Sequence, residues 1–249
     1  MRTKCGVLGI FNKPILSTRK YIERYNFIKR NQFIEENIFD ENIIKETIKN
    51  NYYKFHDLIK SLQNLQHRGQ ESCGIYLKNY LFDILIKDNG LVKDVFNEET
   101  INSMNINYSY ALGHTRYSTS GSKSSKNEIQ PFSGYNKKLG KFFFVFNGNI
   151  PYNKKYKTYC NQTEENYLDT HLIKKFFEKE YISWELLLRD FIQYVERAYS
   201  IILLTYKGMY ILRDSYGVRP LCYGEYNGNY CVSSESVAIL KHKYVREIK

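Results

Sequence analysis

Short apolar segments of strand length recur along this chain, and they constrain its fold more than any other feature of the sequence. They are rich in β-branched and aromatic residues, which favour strands. The segments span residues 7–11, 74–78, 81–87, 108–112, 142–146, 200–206, 209–213, 220–226 and 229–233. The last four segments form two pairs, one on either side of Lys207-Gly208 and one on either side of Asn227-Gly228. Asn-Gly between apolar runs is a strong β-hairpin signal. The sequence therefore predicts sheets that are mostly antiparallel.

Apolar residues at helical spacing predict three helices among these strands. One amphipathic stretch covers residues 55–65, a second covers residues 168–176, and a third begins at Trp184 and runs to about Ala198. Strand-rich ends with helices between them predict two packed sheets flanked by helices. Periodicity alone does not choose the order of these layers.

The distribution of charge argues against a nucleic-acid-binding protein. Lysine and arginine number 37 against 26 aspartates and glutamates, which gives a net charge of +11. Binding to nucleic acid requires such charge on one face, whereas the lysines here are spread along the whole chain. The 24 tyrosines and 15 phenylalanines lie in strand-like runs and lack the alternation with basic residues of a base-stacking surface.

Neither a membrane protein nor a secreted protein is expected. No apolar run reaches the roughly 18–20 residues of a membrane span, and the first residues lack a secretory apolar segment. The five cysteines are odd in number and show no Cys-x-x-Cys spacing, which fits neither a disulfide framework nor a zinc site. We therefore expect a cytoplasmic protein that binds neither membranes nor nucleic acid.

Cys5 has two interpretations with different chemistry. Removal of residues 1–4 would make Cys5 amino-terminal, and its α-amine, with a pKa of about 7.7–8.0, would then be a base beside the thiol. Nucleophilic catalysis needs such an adjacent base. Alternatively, Cys5 is a small buried residue at the start of a strand, which is the usual role of a free cysteine.

Five motifs that follow Cys5 favour the catalytic interpretation. They are Leu-Gln-His-Arg-Gly-Gln-Glu at 65–71, Gly-His-Thr-Arg-Tyr-Ser-Thr at 113–119, Asn-Gly-Asn at 147–149, Arg-Asp-Ser-Tyr-Gly-Val-Arg-Pro-Leu at 213–221 and Ser-Ser-Glu-Ser at 233–236. In this order they resemble the glutaminase domain of the amidophosphoribosyltransferase family. That domain is a class II glutamine amidotransferase of the N-terminal-nucleophile hydrolase superfamily. The resemblance covers about residues 5–13 and 55–240.

The resemblance implies an α+β fold, a four-layer αββα sandwich of two mostly antiparallel sheets. It implies a single type 2 glutamine amidotransferase domain over residues 1–249, with an insertion relative to the family at about 14–54. The family's second domain, a phosphoribosyltransferase, shows an apolar strand leading into two acidic residues and a small hydroxyl- and glycine-containing loop. No segment of this sequence matches that pattern, so we expect that domain to be absent. We expect no cofactor in the glutaminase domain and magnesium only in the absent one.

Glutamine hydrolysis needs a nucleophile and donors that stabilise an oxyanion. The resemblance assigns the nucleophile to Cys5. Asn147 and Gly148 directly follow an apolar strand, which places an amide side chain and an unhindered N–H at a strand end, as an oxyanion hole requires. In isolation, Asn-Gly is more typical of a tight turn. With a terminal amine as base, His67 and His114 are expected to be structural.

Charged residues are expected to bind the amino-acid end of glutamine. Arg116 can bind the α-carboxylate bidentately, and Thr119 can add a hydroxyl contact; the alternative role of Arg116 is a structural ion pair. For the α-ammonium, the family has Asp, a hydroxyl residue and Glu at a helix start. Gln162-Thr163-Glu164 lacks the Asp, whereas Asp169-Thr170-His171 retains it, so we assign Asp169. The resemblance implies that Arg68 orders Cys5 or the glutamine-binding loop.

Three functions remain open at this stage. The first is a glutaminase that supplies ammonia for phosphoribosylamine formation from phosphoribosyl pyrophosphate, the first step of de novo purine synthesis. Its partners would be glutamine and either a separate phosphoribosyltransferase chain or further copies of itself. The second is the glutaminase of another class II amidotransferase, against which the motifs at 213–221 and 233–236 argue. The third is a non-catalytic remnant or interaction domain, favoured by the residues before Cys5, by His171, by the missing acceptor domain and by Phe146, where the family commonly has His.

Overall fold

The computed structural model describes residues 5–11, 53–78, 83–104, 107–117, 128–159, 163–165, 167–226, 229–240 and 247–248. Within these residues, two antiparallel sheets pack face to face and helices cover their outer surfaces. A separate two-stranded ribbon pairs β2, Tyr53–Lys54, with β5, Asn107–Tyr108.

Among the described residues, the larger sheet has seven strands, and the strand that follows Cys5 lies near its centre. The strands are β1 Gly6–Phe11, β3 Ser72–Lys78, β4 Asp83–Asn89, β6 Tyr110–Arg116, β11 Cys222–Tyr226, β12 Asn229–Ser233 and β13 Glu247–Ile248. Their order across the sheet is β13-β11-β12-β1-β6-β3-β4. Gly6 pairs with Thr115, so Cys5 lies next to the end of β6 that carries Arg116.

The smaller sheet contains Asn147 and has four strands in the part of the chain that the structure describes. The strands are β7 Phe132–Asn136, β8 Gly140–Asn149, β9 Ala198–Thr205 and β10 Met209–Arg213. Their order is β10-β9-β8-β7. The central pair, β8 and β9, is apolar because both faces of these strands are covered, one by the larger sheet and one by helices.

Helices lie on the outer faces of both sheets. They are α1 Phe55–Gln63, α2 Val92–Val95, α3 Glu98–Ser103, α4 Asp169–Phe177, α5 Trp184–Tyr194 and α6 Ser236–Leu240, with 3₁₀ turns at Gln66–Arg68 and Lys154–Thr158. The Ser183 hydroxyl caps α5 by accepting a hydrogen bond of 3.3 Å from the N–H of Leu186.

Three apolar layers hold these elements together and confirm the αββα order. The period-two alternation of β1 places Leu8 in the layer beneath α1 and Val7 in the layer between the sheets. Between the sheets, the rings of Tyr76 and Phe143 stack with centroids 3.6 Å apart. The third layer joins α4 and α5 to the smaller sheet and is rich in aromatic side chains such as Trp184.

Most predicted strands are confirmed, and the main differences concern element ends and short elements. The third predicted helix ends at Tyr194, not near Ala198, because Ala198 begins β9 and pairs with Asn149. Strand β7 and the short helices α2, α3 and α6 were not expected from periodicity. Residues 14–52 of the expected insertion, and Asn227-Gly228, lie outside the described residues.

Candidate active site

Cys5 lies at the entrance to β1 and is partly buried. Burial raises the pKa of its thiol above the ordinary value, while the Tyr117 N–H and the Arg116 guanidinium oppose that rise. The Asp169 carboxylate acts in the same direction as burial. The thiol is therefore held in its neutral form and needs a base to become a nucleophile. Residues 1–4 lie outside the described part of the chain, so their removal stays a prediction.

Arg116 is the last residue of β6 and brings a positive charge beside the thiol. Its guanidinium is partly buried and lies 3.5 Å from the carboxylate of Glu128. The structural ion pair considered from the sequence is therefore present. It leaves a guanidinium beside Cys5 that can also bind a carboxylate ligand.

Asp169 is the first residue of α4, in the helical layer on the smaller sheet, and its charge also acts on the Cys5 thiol. Its carboxylate accepts hydrogen bonds from the N–H of Thr170 at 2.8 Å and of Ile150 at 3.3 Å. Burial raises the pKa of Asp169 to about 6, although these two N–H groups and Arg116 favour the charged form. Because Ile150 directly follows β8, Asp169 is tied to the strand that carries Asn147.

Asn147 and Gly148 lie within the last residues of β8, not after the strand as the sequence predicted. The strand continues to Asn149 because Asn147 pairs with Ser200 and Gly148 pairs with Tyr199. The Asn147 side chain is fully buried, and neither of its polar atoms has a hydrogen-bond partner among the described residues. A buried amide without a partner is costly, which makes the Asn147 side chain a candidate hydrogen-bond donor to a ligand.

Gly148 is required by close packing. A Cβ at this position would lie 2.6 Å from the Phe146 ring and 2.9 Å from the Ala198 carbonyl oxygen. Phe146, the departure from the family noted in the sequence, packs in the helix-covered layer and narrows the space beside Gly148.

Arg68 fixes the main chain of Cys5. Its Nε donates to the Cys5 carbonyl oxygen at 3.0 Å, and its other guanidinium edge contacts Glu235 at 2.5 Å. Glu235 also contacts His67 at 2.9 Å. Burial acts to raise the pKa of Glu235, but the hydrogen bonds from Arg68 and His67 outweigh it and lower the pKa.

The sequence missed the role of Glu235, although it lies in the Ser-Ser-Glu-Ser motif at 233–236. The expectation that Arg68 orders Cys5 agrees with the hydrogen bond to the Cys5 carbonyl. His67 is paired with Glu235, and His114 is fully buried with a pKa lowered by burial to about 3, so both fit structural roles.

Two sequence candidates fall outside the described residues. These are Thr119, expected in the glutamine pocket, and Gln162, the competing helix start for the ammonium site. Among the described residues, no group of three or more metal-ligating side chains comes together. No described helix is both long and apolar enough to cross a membrane.

Comparison with known proteins points to one family. A family model described as a glutamine amidotransferase domain matches residues 114–241. Amidophosphoribosyltransferase 3, chloroplastic, of Arabidopsis thaliana is 35% identical over 198 residues, which is 76% of this chain and 36% of that protein.

Solved structures agree with the fold. One is described as the allosteric regulatory enzyme of purine biosynthesis, with a TM-score of 0.66 and 21% identity over 95% of this chain and 43% of that chain. Another is the glutamine phosphoribosylpyrophosphate amidotransferase of B. subtilis, with a TM-score of 0.64 and 20% identity over 94% of this chain and 43% of that chain. The chain thus spans less than half the length of each of these three proteins.

Proposed function

This chain belongs to the glutamine amidotransferase domain family, and we propose that it hydrolyses glutamine to glutamate and ammonia with the Cys5 thiol as nucleophile. The observation that carries the proposal is the pair of opposite charges beside this thiol, since both Arg116 and Asp169 act on it. A free amino acid carries one carboxylate and one ammonium. Arg116 and Asp169 offer one partner to each.

The two charged residues would fix the orientation of glutamine. With its α-carboxylate on Arg116 and its α-ammonium on Asp169, the side chain extends towards Cys5. Binding the ammonium requires the ionised form of Asp169, and a bound cation would lower its pKa from about 6. Holding the α-carboxylate and the α-ammonium makes attack of the Cys5 thiol on the side-chain carbonyl effectively intramolecular.

The chemistry would proceed through an acyl-enzyme. If Cys5 is amino-terminal, its α-amine takes the thiol proton, the sulfur bonds to the carboxamide carbon, and the carbonyl oxygen becomes an oxyanion. The Asn147 side-chain N–H groups and the Gly148 N–H are the proposed donors to this oxyanion. The carboxamide nitrogen of the tetrahedral intermediate takes this proton from the protonated α-amine, its bond to carbon breaks, and ammonia leaves behind a thioester on Cys5. Water then hydrolyses the thioester to glutamate and frees the thiol.

The proposed acceptor of the ammonia is phosphoribosyl pyrophosphate, giving phosphoribosylamine for purine synthesis. This part of the proposal is supported by relatives named amidophosphoribosyltransferases. The acceptor site would lie on a phosphoribosyltransferase unit beyond the residues of this chain. That unit or further copies of this chain are the proposed partners.

Two measurements test the proposal: the turnover of glutamine and the intact mass of the active protein. Purified protein should release glutamate and ammonia from glutamine, and the mass of the active form should correspond to a chain that begins at Cys5. Cys5→Ser keeps the shape but weakens the nucleophile, so it should lose nearly all turnover and still bind glutamine. Cys222→Ser, which changes another partly buried cysteine, is the control and should keep wild-type turnover. Full turnover by Cys5→Ser, or by a form that retains residues 1–4, would contradict the mechanism.

A further inference from the structure

The main chain just before Asn147 is held by a side chain from another segment. The Phe146 N–H donates to Gln130 Oε1 at 2.6 Å, and Gln130 Nε2 donates to the Phe146 carbonyl oxygen at 3.1 Å. Gln130 is 5% exposed, so both bonds are shielded from water. One carboxamide therefore satisfies both main-chain groups of Phe146 on this side of the strand.

These two bonds continue the hydrogen-bond ladder between β7 and β8 beyond the first residue of β7. Strand β7 begins at Phe132, which pairs with Phe144. Extending that register by two residues places Gln130 opposite Phe146. At that position the side-chain carboxamide supplies one donor and one acceptor, as a neighbouring strand would.

The main chain around Gln130 is fixed to the opposite sheet. Lys87 of β4 donates to the Ile129 carbonyl oxygen at 2.7 Å and contacts that of Pro131 at 3.5 Å. Gly74 of β3 packs so closely that a Cβ there would lie 2.2 Å from the Gln130 carbonyl oxygen. The main chain around Gln130 thus contacts the larger sheet, and the Gln130 side chain binds the smaller sheet.

We propose that Gln130 is a positioning residue that sets where Asn147 lies relative to Cys5. Cys5 precedes a strand of the larger sheet and Asn147 lies on a strand of the smaller sheet, so their separation depends on contacts between the sheets. Gln130 makes such a contact one residue from Asn147. An oxyanion donor works only within about 2.7–3.1 Å of the oxyanion, so a small shift of β8 weakens it. The kinetic consequence rests on the proposed function; the positioning itself does not.

Gln130→Met tests the proposal, with Asn136→Leu as a matched control. Each replaces a buried carboxamide of the β7 segment by an apolar side chain of similar size. Asn136 binds the carbonyl oxygens of Phe177 and Lys179 and accepts from Lys138 and Leu139, at the end of β7 away from the site. Both variants should lose stability. Only Gln130→Met should change the site.

Glutaminase kinetics give the first readout. For Gln130→Met we expect kcat to fall by about 10- to 100-fold, with KM for glutamine changed less than about threefold, because the donor acts on the transition state and not on the amino-acid end. Affinity for the aldehyde analogue of glutamine, whose carbon bonds to the Cys5 sulfur and whose oxygen takes the oxyanion position, should fall with kcat. Affinity for glutamate should stay unchanged. Equal kcat values for Gln130→Met and Asn136→Leu would overturn the proposal.

Amide hydrogen exchange gives a readout that does not need activity. Exchange in the peptide covering residues 140–149 should accelerate at its carboxy-terminal end in Gln130→Met and not in Asn136→Leu. If wild-type protein hydrolyses no glutamine but exchange changes in this way, the proposed function fails and the positioning role stands. Unchanged exchange at that end would overturn the positioning role itself.

Gln130→Glu covers the case in which Gln130→Met does not fold. A neutral glutamic acid can accept from the Phe146 N–H and donate to its carbonyl oxygen, whereas the ionised form cannot donate. The kcat of Gln130→Glu, expressed as a ratio to wild type at each pH, should therefore rise as pH falls. A ratio that is flat with pH, or that falls, would contradict the role of the two hydrogen bonds.

Discussion

At the scale of single residues, Asp169 is the group whose charge state most affects the proposed binding step. Its pKa is raised to about 6, so the carboxylate needed for the ammonium is lost as pH falls through that value. Because kcat/KM for glutamine reports the free enzyme, we expect it to rise near pH 8 as the α-amine of Cys5 loses its proton, and the ionisation of Asp169 to add a separate rise at about pH 6. Asp169→Asn should remove the rise at about pH 6 and raise KM strongly, by a loss of roughly 2–5 kcal/mol in binding. Gln162→Ala is the control, and the assignment is wrong if Gln162→Ala is the damaging change.

Glu235 contacts two basic side chains that differ in exposure, and this difference gives a second prediction about single residues. The Arg68 side chain is 9% exposed, whereas that of His67 is 57% exposed. Glu235→Gln leaves the nearly buried guanidinium without a charged partner, so we expect a loss of about 1.5–3 kcal/mol in the free energy of unfolding and a lower kcat. His67→Gln breaks only an exposed pair and should cost less than about 1 kcal/mol. Urea unfolding of both variants checks the order, and equal losses would contradict it.

The sequence pointed to some residues of the candidate site and not to others, for a physical reason. Cys5 and Asp169 were predicted from the resemblance to the family and Arg116 from the chemistry of its guanidinium, and in the structure both charges act on the Cys5 thiol. Gln130 and Glu235 act through contacts with residues distant in the sequence, namely the Phe146 main chain and the Arg68 side chain. Such contacts depend on tertiary packing, and no local pattern indicates them.

At the scale of elements, the end of β8 holds Gly148, which is both closely packed and a proposed donor to the oxyanion. Gly148→Ala would place a Cβ 2.6 Å from the Phe146 ring and 2.9 Å from a main-chain oxygen. We expect a loss of about 1–3 kcal/mol in the free energy of unfolding and a clear fall in kcat. Gly113→Ala in β6 is the matched control, because its nearest contact is 3.1 Å, to the end of the Leu62 side chain. It should cost less and leave kcat near wild type; the opposite order would contradict the packing at Gly148.

Elements were predictable from the sequence where their apolar pattern is long enough to have a period. Helix α1 and strands β8 and β9 meet that condition. Strand β7 does not, because Gly134 interrupts it; a Cβ at Gly134 would lie 2.3 Å from the Phe142 ring, so this glycine makes room for an aromatic neighbour. Helix α2 has four residues, too few for helical periodicity to be detected.

At the scale of the whole molecule, the proposed site lies where the two sheets meet. The pairing of β1 with β12 joins residues more than two hundred positions apart, and such pairing cannot be inferred from local periodicity. The resemblance to a known family supplied the order of the layers, which periodicity left open. The apolar layer containing Val7, Tyr76 and Phe143 confirms that order.

The reactivity of ammonia leads to a prediction about the whole molecule. Ammonia released into water near neutral pH is mostly protonated and is then a poor nucleophile, so a glutaminase of this kind is useful only beside the site that consumes its product. We therefore expect a phosphoribosyltransferase unit to dock near Arg116 and near the hairpin of β11 and β12. Binding energy from docking should order the glutamine site and raise kcat more than it lowers KM.

That prediction is checked by reconstitution. Mixing the purified chain with a candidate phosphoribosyltransferase and phosphoribosyl pyrophosphate should raise the rate of glutamine hydrolysis and form phosphoribosylamine. Cys5→Ser should bind the same partner and yield no product from glutamine, yet the mixture should still form phosphoribosylamine from added ammonia, because the acceptor site remains intact. If no candidate binds the chain or raises its turnover, a non-catalytic interaction domain becomes the better account of this molecule.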